Sequence, residues 1–231
     1  MKYGIPHKDY IVVYYMSLTQ KHVRYAELVN KPNLYNPIVV CVGQAGSGKT
    51  YIACKAGINK LLKKEVKKII VTRPAVCVDE NHGFIPGDMN SKMLPYLKPI
   101  YDSFLDYITM DTLKSHIKNE VIEICPFSFL RGRTFKNCFI IADETQNTTK
   151  NQMQTLLTRI GDNCKTVITG DLTQSDLKLG PFEKNGLADL LERCERHFEN
   201  SDEVCIDIVR FSEEDVLRSE LVKKIINLYN I

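Results

Sequence analysis

No apolar run in this 231-residue sequence approaches the ~20 residues that a helix needs to cross a bilayer. The stretches at 11–16 and 37–42 fall far short. The opening residues, Met1-Lys2-Tyr3-Gly4, do not lead into the apolar core and cleavage site of a secretory signal, so a cytoplasmic protein without membrane association is expected. No Cys-x-x-Cys pair occurs among the eight cysteines, and most of them, Cys41 and Cys138 included, lie inside apolar runs. Thiols in such places act as small hydrophobes, which argues against both a disulfide framework and a structural zinc site. The five histidines are scattered and offer no metal-ligand spacing. Internal repeats and low-complexity tracts are absent. Charge of one sign is scarce too: 31 basic against 28 acidic residues leave a net charge of +3, too little to demand a nucleic-acid partner. The cluster Lys63, Lys64, Lys67 and Lys68 reads as a solvated helix end,.

What is present is the material of a globular core, with 44% apolar and 26% charged residues,. The length suits one large domain, taken as 19–231 behind an N-terminal extension at 1–18,. Short, β-branched apolar runs at 38–42, 69–72, 121–124, 138–142, 166–169 and 204–208 have the character of strands covered on both faces,. Helical patterns fall at 19–29, 49–62, 92–108, 111–118, 150–160, 186–198 and 214–229, the third interrupted by Pro95 and Pro99,. Strands alternating with helices predict a three-layer α/β fold around a mainly parallel sheet. A long irregular stretch at 75–90 carries Asp79, Glu80, His82 and Asp88, which read as a polar loop rather than a metal site,.

Between the strand at 38–42 and the helix that follows stands Gly43-Gln44-Ala45-Gly46-Ser47-Gly48-Lys49-Thr50, which fits G-x-x-x-x-G-K-[ST] at every fixed position. Glycines let the backbone curl so that successive N–H groups face phosphate oxygens, and the helix N-terminus adds its dipole. Lys49 is expected to reach the β- and γ-phosphates of ATP, and the Thr50 hydroxyl to ligate Mg²⁺. The following Tyr51 is counted with the nucleotide-contacting positions.

Hydrolysis needs a second group of residues. The apolar strand Phe139-Ile140-Ile141-Ala142 ends in Asp143-Glu144. Asp143 stands where a P-loop enzyme holds Mg²⁺, and Glu144, one residue further out, can polarise a water as general base. A third strand ends in Gly170-Asp171-Leu172-Thr173-Gln174. If it neighbours the P-loop strand, Gln174 would meet the γ-phosphate or orient the water, and Asp171 would complete the outer shell of the metal. Ordinary turn chemistry is the competing reading for both.

Together with the P-loop, several strings resemble the PhoH family of P-loop ATPases. They are Val71-Thr72-Arg73-Pro74-Ala75-Val76, Gly83-Phe84-Ile85-Pro86-Gly87-Asp88, Arg131-Gly132-Arg133-Thr134-Phe135, Ala142-Asp143-Glu144-Thr145-Gln146-Asn147 and Gly170 to Gln174. The resemblance covers nearly the whole chain. It implies a RecA-like fold close to the first core domain of superfamily-one helicases, ATPase activity, work on single-stranded RNA or other nucleic acid, and assembly into a homo-oligomer such as a hexameric ring. By the helicase analogy Gln20 would read the adenine edge, while Arg73, Arg131 and Arg133 would meet nucleic-acid phosphates or a neighbouring subunit. The sequence holds one RecA-like unit without the arginine that a second would present to the γ-phosphate. Arg210 and Arg218 are the candidates for supplying it across an interface; a helix-end salt bridge or a solvated side chain is the alternative for each.

Gln44, Ser47, Ala142 and Thr145 depart from the family's commonest residues but spare the phosphate, metal and base positions. Two functions fit: an RNA-coupled ATPase, and an ATP-dependent oligomeric switch with slow incidental turnover. A small-molecule kinase explains the Asp143-Glu144 pair less well.

Overall fold

The computed structural model describes residues 18–32, 37–74, 89–198, 205–217 and 228, with 89–96 described as backbone only. The extension before residue 18, the greater part of the 75–90 stretch with its four polar residues, Arg218 and most of the expected final helix lie outside the described residues.

Among the described residues six strands form one sheet: β1 (Ile38–Val42), β2 (Lys68–Thr72), β3 (Ile122–Ile124), β4 (Cys138–Ala142), β5 (Lys165–Gly170) and β6 (Ile206–Arg210). Their order across the sheet is β3-β2-β4-β5-β1-β6, and every pairing is parallel. Parallel neighbours require a crossover between them, and the chain supplies helices α1 (Gln20–Asn30), α2 (Lys49–Leu62), α3 (Met89–Leu105), α4 (Met110–Lys118), α5 (Lys150–Leu157) and α6 (Gly186–Phe198),.

Alternate residues of each strand enter different layers, as the two-residue period of a strand dictates. Val39 and Cys41 of β1 join Ile52, Ile58, Leu97, Phe104 and Leu113 beneath α1 to α4. Ile38, Val40 and Val42 join Met153, Leu156, Leu187 and Leu191 beneath α5 and α6. The expected three-layer, RecA-like α/β fold is therefore what forms, and its sheet is parallel throughout the described strands.

Several boundaries shift from the sequence reading, and three differences have a reason in packing or pairing. Helix α3 runs unbroken through Pro95 and Pro99. Each proline removes a backbone donor at a cost of about 3 kcal/mol, but Leu97, Ile100 and Phe104 are buried to within 1%, and that packing holds the helix together. Helix α5 stops at Leu157 rather than 160, because Ile160 forms a β-bridge to Phe135. Strand β6 begins at Ile206, two residues later than expected. Its register pairs Ile38 with Ile206 and Val42 with Arg210, so it ends level with the P-loop strand. All seven described cysteines are free thiols, six of them buried.

Candidate active site

The carboxyl ends of β1, β4 and β5 converge on one edge of the sheet, where open α/β sheets gather their ligands. The P-loop leaves β1 directly. A Cβ on Gly43 would stand 2.6 Å from Cβ of Phe211, so only glycine lets the loop pass the turn after β6. Gly46 and Gly48 have φ of 83° and 75°, a region that other residues enter at a cost. The neighbours then hold the curl in place. Asp171 Oδ2 accepts from the Ala45 amide at 3.1 Å, the Leu217 amide donates to the Gly46 carbonyl at 3.1 Å, and a ring nitrogen of His22 lies 3.0 Å from the Ser47 carbonyl. Tyr25 donates to the Lys49 carbonyl at 3.2 Å.

Lys49 is buried and its ammonium donates to the carbonyls of Gly43 and Gln44 at 2.6 and 2.8 Å. Burial draws its pKa below the usual lysine range, opposed by Cys41 and by the carboxylates of Asp171, Glu144 and Asp143. Three of the carboxylates expected to work together, Asp143, Glu144 and Asp171, thus surround one cation. Tyr51 is half-buried, with its hydroxyl 3.4 Å from that of Tyr107. Gln20 is exposed at the first turn of α1.

Asp143 continues the sheet, donating its amide to the Thr72 carbonyl at 3.0 Å, and is 4% exposed. Its Oδ1 accepts from the Thr50 hydroxyl at 2.7 Å and from Thr169 at 2.6 Å. A threonine and a carboxylate meeting this closely from the P-loop helix and β4 make a pair of hard oxygen donors suited to Mg²⁺, which takes few protein ligands and completes its shell with phosphate and water. Among the described residues no three His, Cys, Asp or Glu side chains stand together as a metal site, so an all-protein cage is not what these donors form.

Glu144 follows in a left-handed conformation (φ 54°, ψ 38°) that few non-glycine residues adopt,. This twist turns it away from Asp143 and starts the short 3₁₀ turn Thr145–Asn147. Glu144, Asp143, Thr50, Lys49, Ala45, Gly46, Asp171 and Gln174 all line one cleft of about 290 Å³, with Pro99 and Ser103 of α3 on its far wall.

Strand β5 does lie between β1 and β4, which is the condition that brings Gln174 to this cleft. Asp171, however, is turned toward protein: Oδ2 holds the P-loop amide of Ala45, and Oδ1 accepts from the amide and hydroxyl of Thr173 at 2.9 and 2.7 Å. It braces the phosphate loop and closes its own turn onto Thr173, which is the turn chemistry offered as its competing reading.

Sequence reasoning missed Gln146. It is 1% exposed and donates to Glu144 Oε2 at 2.6 Å and to the Gln174 carbonyl at 3.2 Å, while its Oε1 accepts from the Asp171 amide at 3.0 Å. Asn147 adds a second tie, pairing with both the amide and the carboxylate of Asp176 at 2.8 and 3.0 Å. The available signal was a run of polar residues, 145–148, just beyond a strand that is apolar throughout. Thr169 was missed as well; a hydroxyl near the end of an otherwise largely apolar central strand marks it.

The arginines divide. Arg73 leaves the end of β2 and lies 3.3 Å from Glu144 and 3.9 Å from Asp143. Arg133 grips both oxygens of Glu123, with NH2 at 3.1 Å from Oε2, and sits 4.7 Å over the Phe135 ring. Arg131 is exposed and lines a groove of about 380 Å³ with Phe127, Ser128, Asn151 and Gln152. Arg210, at the end of β6, pairs with Glu195 beside a second cleft of about 390 Å³ that reaches Gly43 and Gln44.

The described helices include none long and apolar enough to cross a membrane. Among known proteins, Protein PhoH of Escherichia coli K12 is 40% identical over 195 residues, covering 84% of this chain and 53% of its own length. The PhoH-like protein of Bacillus subtilis is 42% identical over 198 residues, covering 84% and 59%. The chain thus spans little more than half the length of the relatives it matches. The large terminase of a thermophilic bacteriophage shares the fold at 10% identity, with a TM-score of 0.54 over 90% of this chain and 49% of the terminase. The family model described as PhoH-like protein matches residues 13–230, and with these relatives and this P-loop site the chain belongs to the PhoH family.

Proposed function

We propose that this chain binds ATP with Mg²⁺ and hydrolyses it, and that turnover is coupled to single-stranded RNA or another nucleic acid. The observation that carries the hydrolytic part is the meeting of the Thr50 hydroxyl with Asp143 at 2.7 Å, in the cleft that Lys49, Glu144 and Gln174 also line. The P-loop amides would cradle the phosphates, with Lys49 exchanging the carbonyls of Gly43 and Gln44 for phosphate oxygens. Thr50 and Asp143 would hold the metal, which when bound neutralises charge on the β- and γ-phosphates. Glu144 would take the proton of the attacking water, and Gln174 would orient that water or the γ-phosphate. Such catalysis rests on positioning and electrostatics. Gln20 would meet the base of the nucleotide.

The nucleic-acid part has its support in Arg131, exposed beside a groove lined mostly by polar residues, and in Phe129, two residues earlier and 54% exposed. Bases stack on such rings while guanidinium groups meet the backbone. Arg133 and Arg73 would have to give up carboxylate partners to join them. A homo-oligomer, a hexameric ring by the family resemblance, and a cytoplasmic location complete the reading.

The test is phosphate release from ATP by the wild type and by Glu144→Gln, each with and without single-stranded RNA. Turnover is expected to fall at least ~100-fold in the variant with nucleotide binding intact, and RNA is expected to raise the wild-type rate. Equal release by both proteins removes Glu144 from the mechanism. Binding without turnover in either makes the chain a nucleotide-driven switch.

A further inference from the structure

A glutamate has three side-chain torsions, and Glu144 sits on a left-handed turn with its side chain 38% exposed. Proximity to the cleft does not by itself aim its carboxylate. Two contacts do, and they come from different elements. On one side Gln146 donates to Oε2 at 2.6 Å; on the other, NH2 of Arg73 lies 3.3 Å from Oε1. The amide of Gln146 has no freedom to turn over. Its Oε1 accepts from the Asp171 backbone N–H at 3.0 Å, and since a backbone N–H can only donate, the NH₂ end is committed to Glu144 and to the Gln174 carbonyl. Gly170 closes over this amide: a Cβ there would stand 2.8 Å from Oε1. Arg73 is 18% exposed, and its second nitrogen faces Asp143 at 3.9 Å. A guanidinium presents two nitrogens to the two carboxylates in one fixed plane, a geometry that the single nitrogen of an ammonium does not impose.

We propose that Arg73 and Gln146 are positioning residues for hydrolysis, gripping the two oxygens of the Glu144 carboxylate from opposite sides. Gln146 also ties that carboxylate to the segment bearing Gln174, so the base and the residue facing the γ-phosphate keep one spacing. Arg73 is then an internal brace of the site rather than a contact to nucleic acid. The inference rests on Glu144 acting as the base.

The experiment measures kcat, KM and equilibrium ATP binding on the full chain for Arg73→Ala, Arg73→Lys, Gln146→Ala and Gln146→Glu, alone and combined with Glu144→Gln. Displacing a catalytic group by about an ångström costs on the order of 100-fold in rate. A loss of about 10- to 100-fold in kcat is therefore expected for Arg73→Ala and Gln146→Ala, with KM and ATP binding within about twofold of wild type. Arg73→Lys should recover part of the loss by restoring the charge without the fork. Gln146→Glu keeps an acceptor for the Asp171 amide but sets a carboxylate against Glu144, and should be slower than Gln146→Ala. Residues that act through Glu144 have nothing left to position once it is gone, so single-turnover rates of the double variants should equal that of Glu144→Gln.

Wild-type kcat in Arg73→Ala and Gln146→Ala, with Glu144→Gln inactive, overturns the proposal and leaves the base standing. Further loss in the double variants, or a loss that lies in ATP binding, overturns it too. Full activity in Glu144→Gln removes the base assignment itself.

Discussion

Lys165 shows how a single side chain sets a pH dependence away from any catalytic role. It is fully buried in β5, and burial lowers its pKa to about 8, helped by Lys60 and Lys31 and opposed by Asp207. The folded value lies below the ordinary lysine value, so between about pH 8 and 10.5 the unfolded chain binds a proton that the folded chain lacks. Stability attributable to this group therefore rises with pH through that window and is constant below it. The full rise is on the order of 3 kcal/mol. Urea unfolding from pH 7.5 to 10.5 should show it in the wild type relative to Lys165→Met; parallel curves for the two proteins would mean that Lys165 titrates as it does in the unfolded chain. The catalytic candidates differ in how they could be read. Lys49, Thr50, Asp143 and Glu144 hold fixed places relative to a strand end and a loop, so spacing alone identified them. Gln146 acts through an amide 25 residues further along the chain, and no local pattern encodes that partnership.

At the scale of elements, the strands were legible where they are apolar on both faces, as β1 and β4 are throughout, and β1, β4 and α6 fall where their patterns placed them. What escaped was tertiary: α3 survives its prolines through buried contacts, and β6 takes its limits from pairing with β1. The latch between α1 and the turn after β6 belongs to the same class. Asp215, 3% exposed, accepts from Thr19 at 2.6 Å, from the Ser212 amide at 2.8 Å and from Lys21 at 3.0 Å. Burial would raise its pKa, but these bonds outweigh burial and hold it well below the usual carboxylate range. Its contribution is thus complete above about pH 4 and fades only in strong acid. Asp215→Asn keeps the shape and removes the charge, at an expected cost of about 1–3 kcal/mol at neutral pH. Because α1 touches the P-loop through His22 and Tyr25, the loss should appear as faster amide exchange in Gln20–Asn30, with β4 and β5 unchanged. Uniform acceleration across the sheet would instead mean that the latch is part of the global core.

For the molecule as a whole, the cleft poses a question of charge. Among the described residues that line it, Lys49 is the one cation, and an arginine facing the γ-phosphate is worth about 10³–10⁵ in rate where P-loop enzymes use one. Arg210 stands at the end of β6 with its side chain 46% exposed, restrained by an exposed Glu195, and a pair of that kind contributes little to stability. If copies of the chain assemble head to tail, Arg210 of one copy is available to the cleft of the next. The expectation can be put to a mixing experiment. Arg210→Ala should lose turnover while melting within about 1 kcal/mol of wild type, and Glu144→Gln should lose it for want of a base. Mixed in equal amounts, the two inactive proteins form some interfaces in which an intact Glu144 faces an intact Arg210, and those interfaces should hydrolyse ATP. Recovered activity that rises with protein concentration establishes that the arginine works across an interface. No recovery, with Arg210→Ala inactive alone, confines it to its own P-loop, which its cleft beside Gly43 and Gln44 also reaches. Wild-type turnover in Arg210→Ala reduces its role to the ion pair with Glu195.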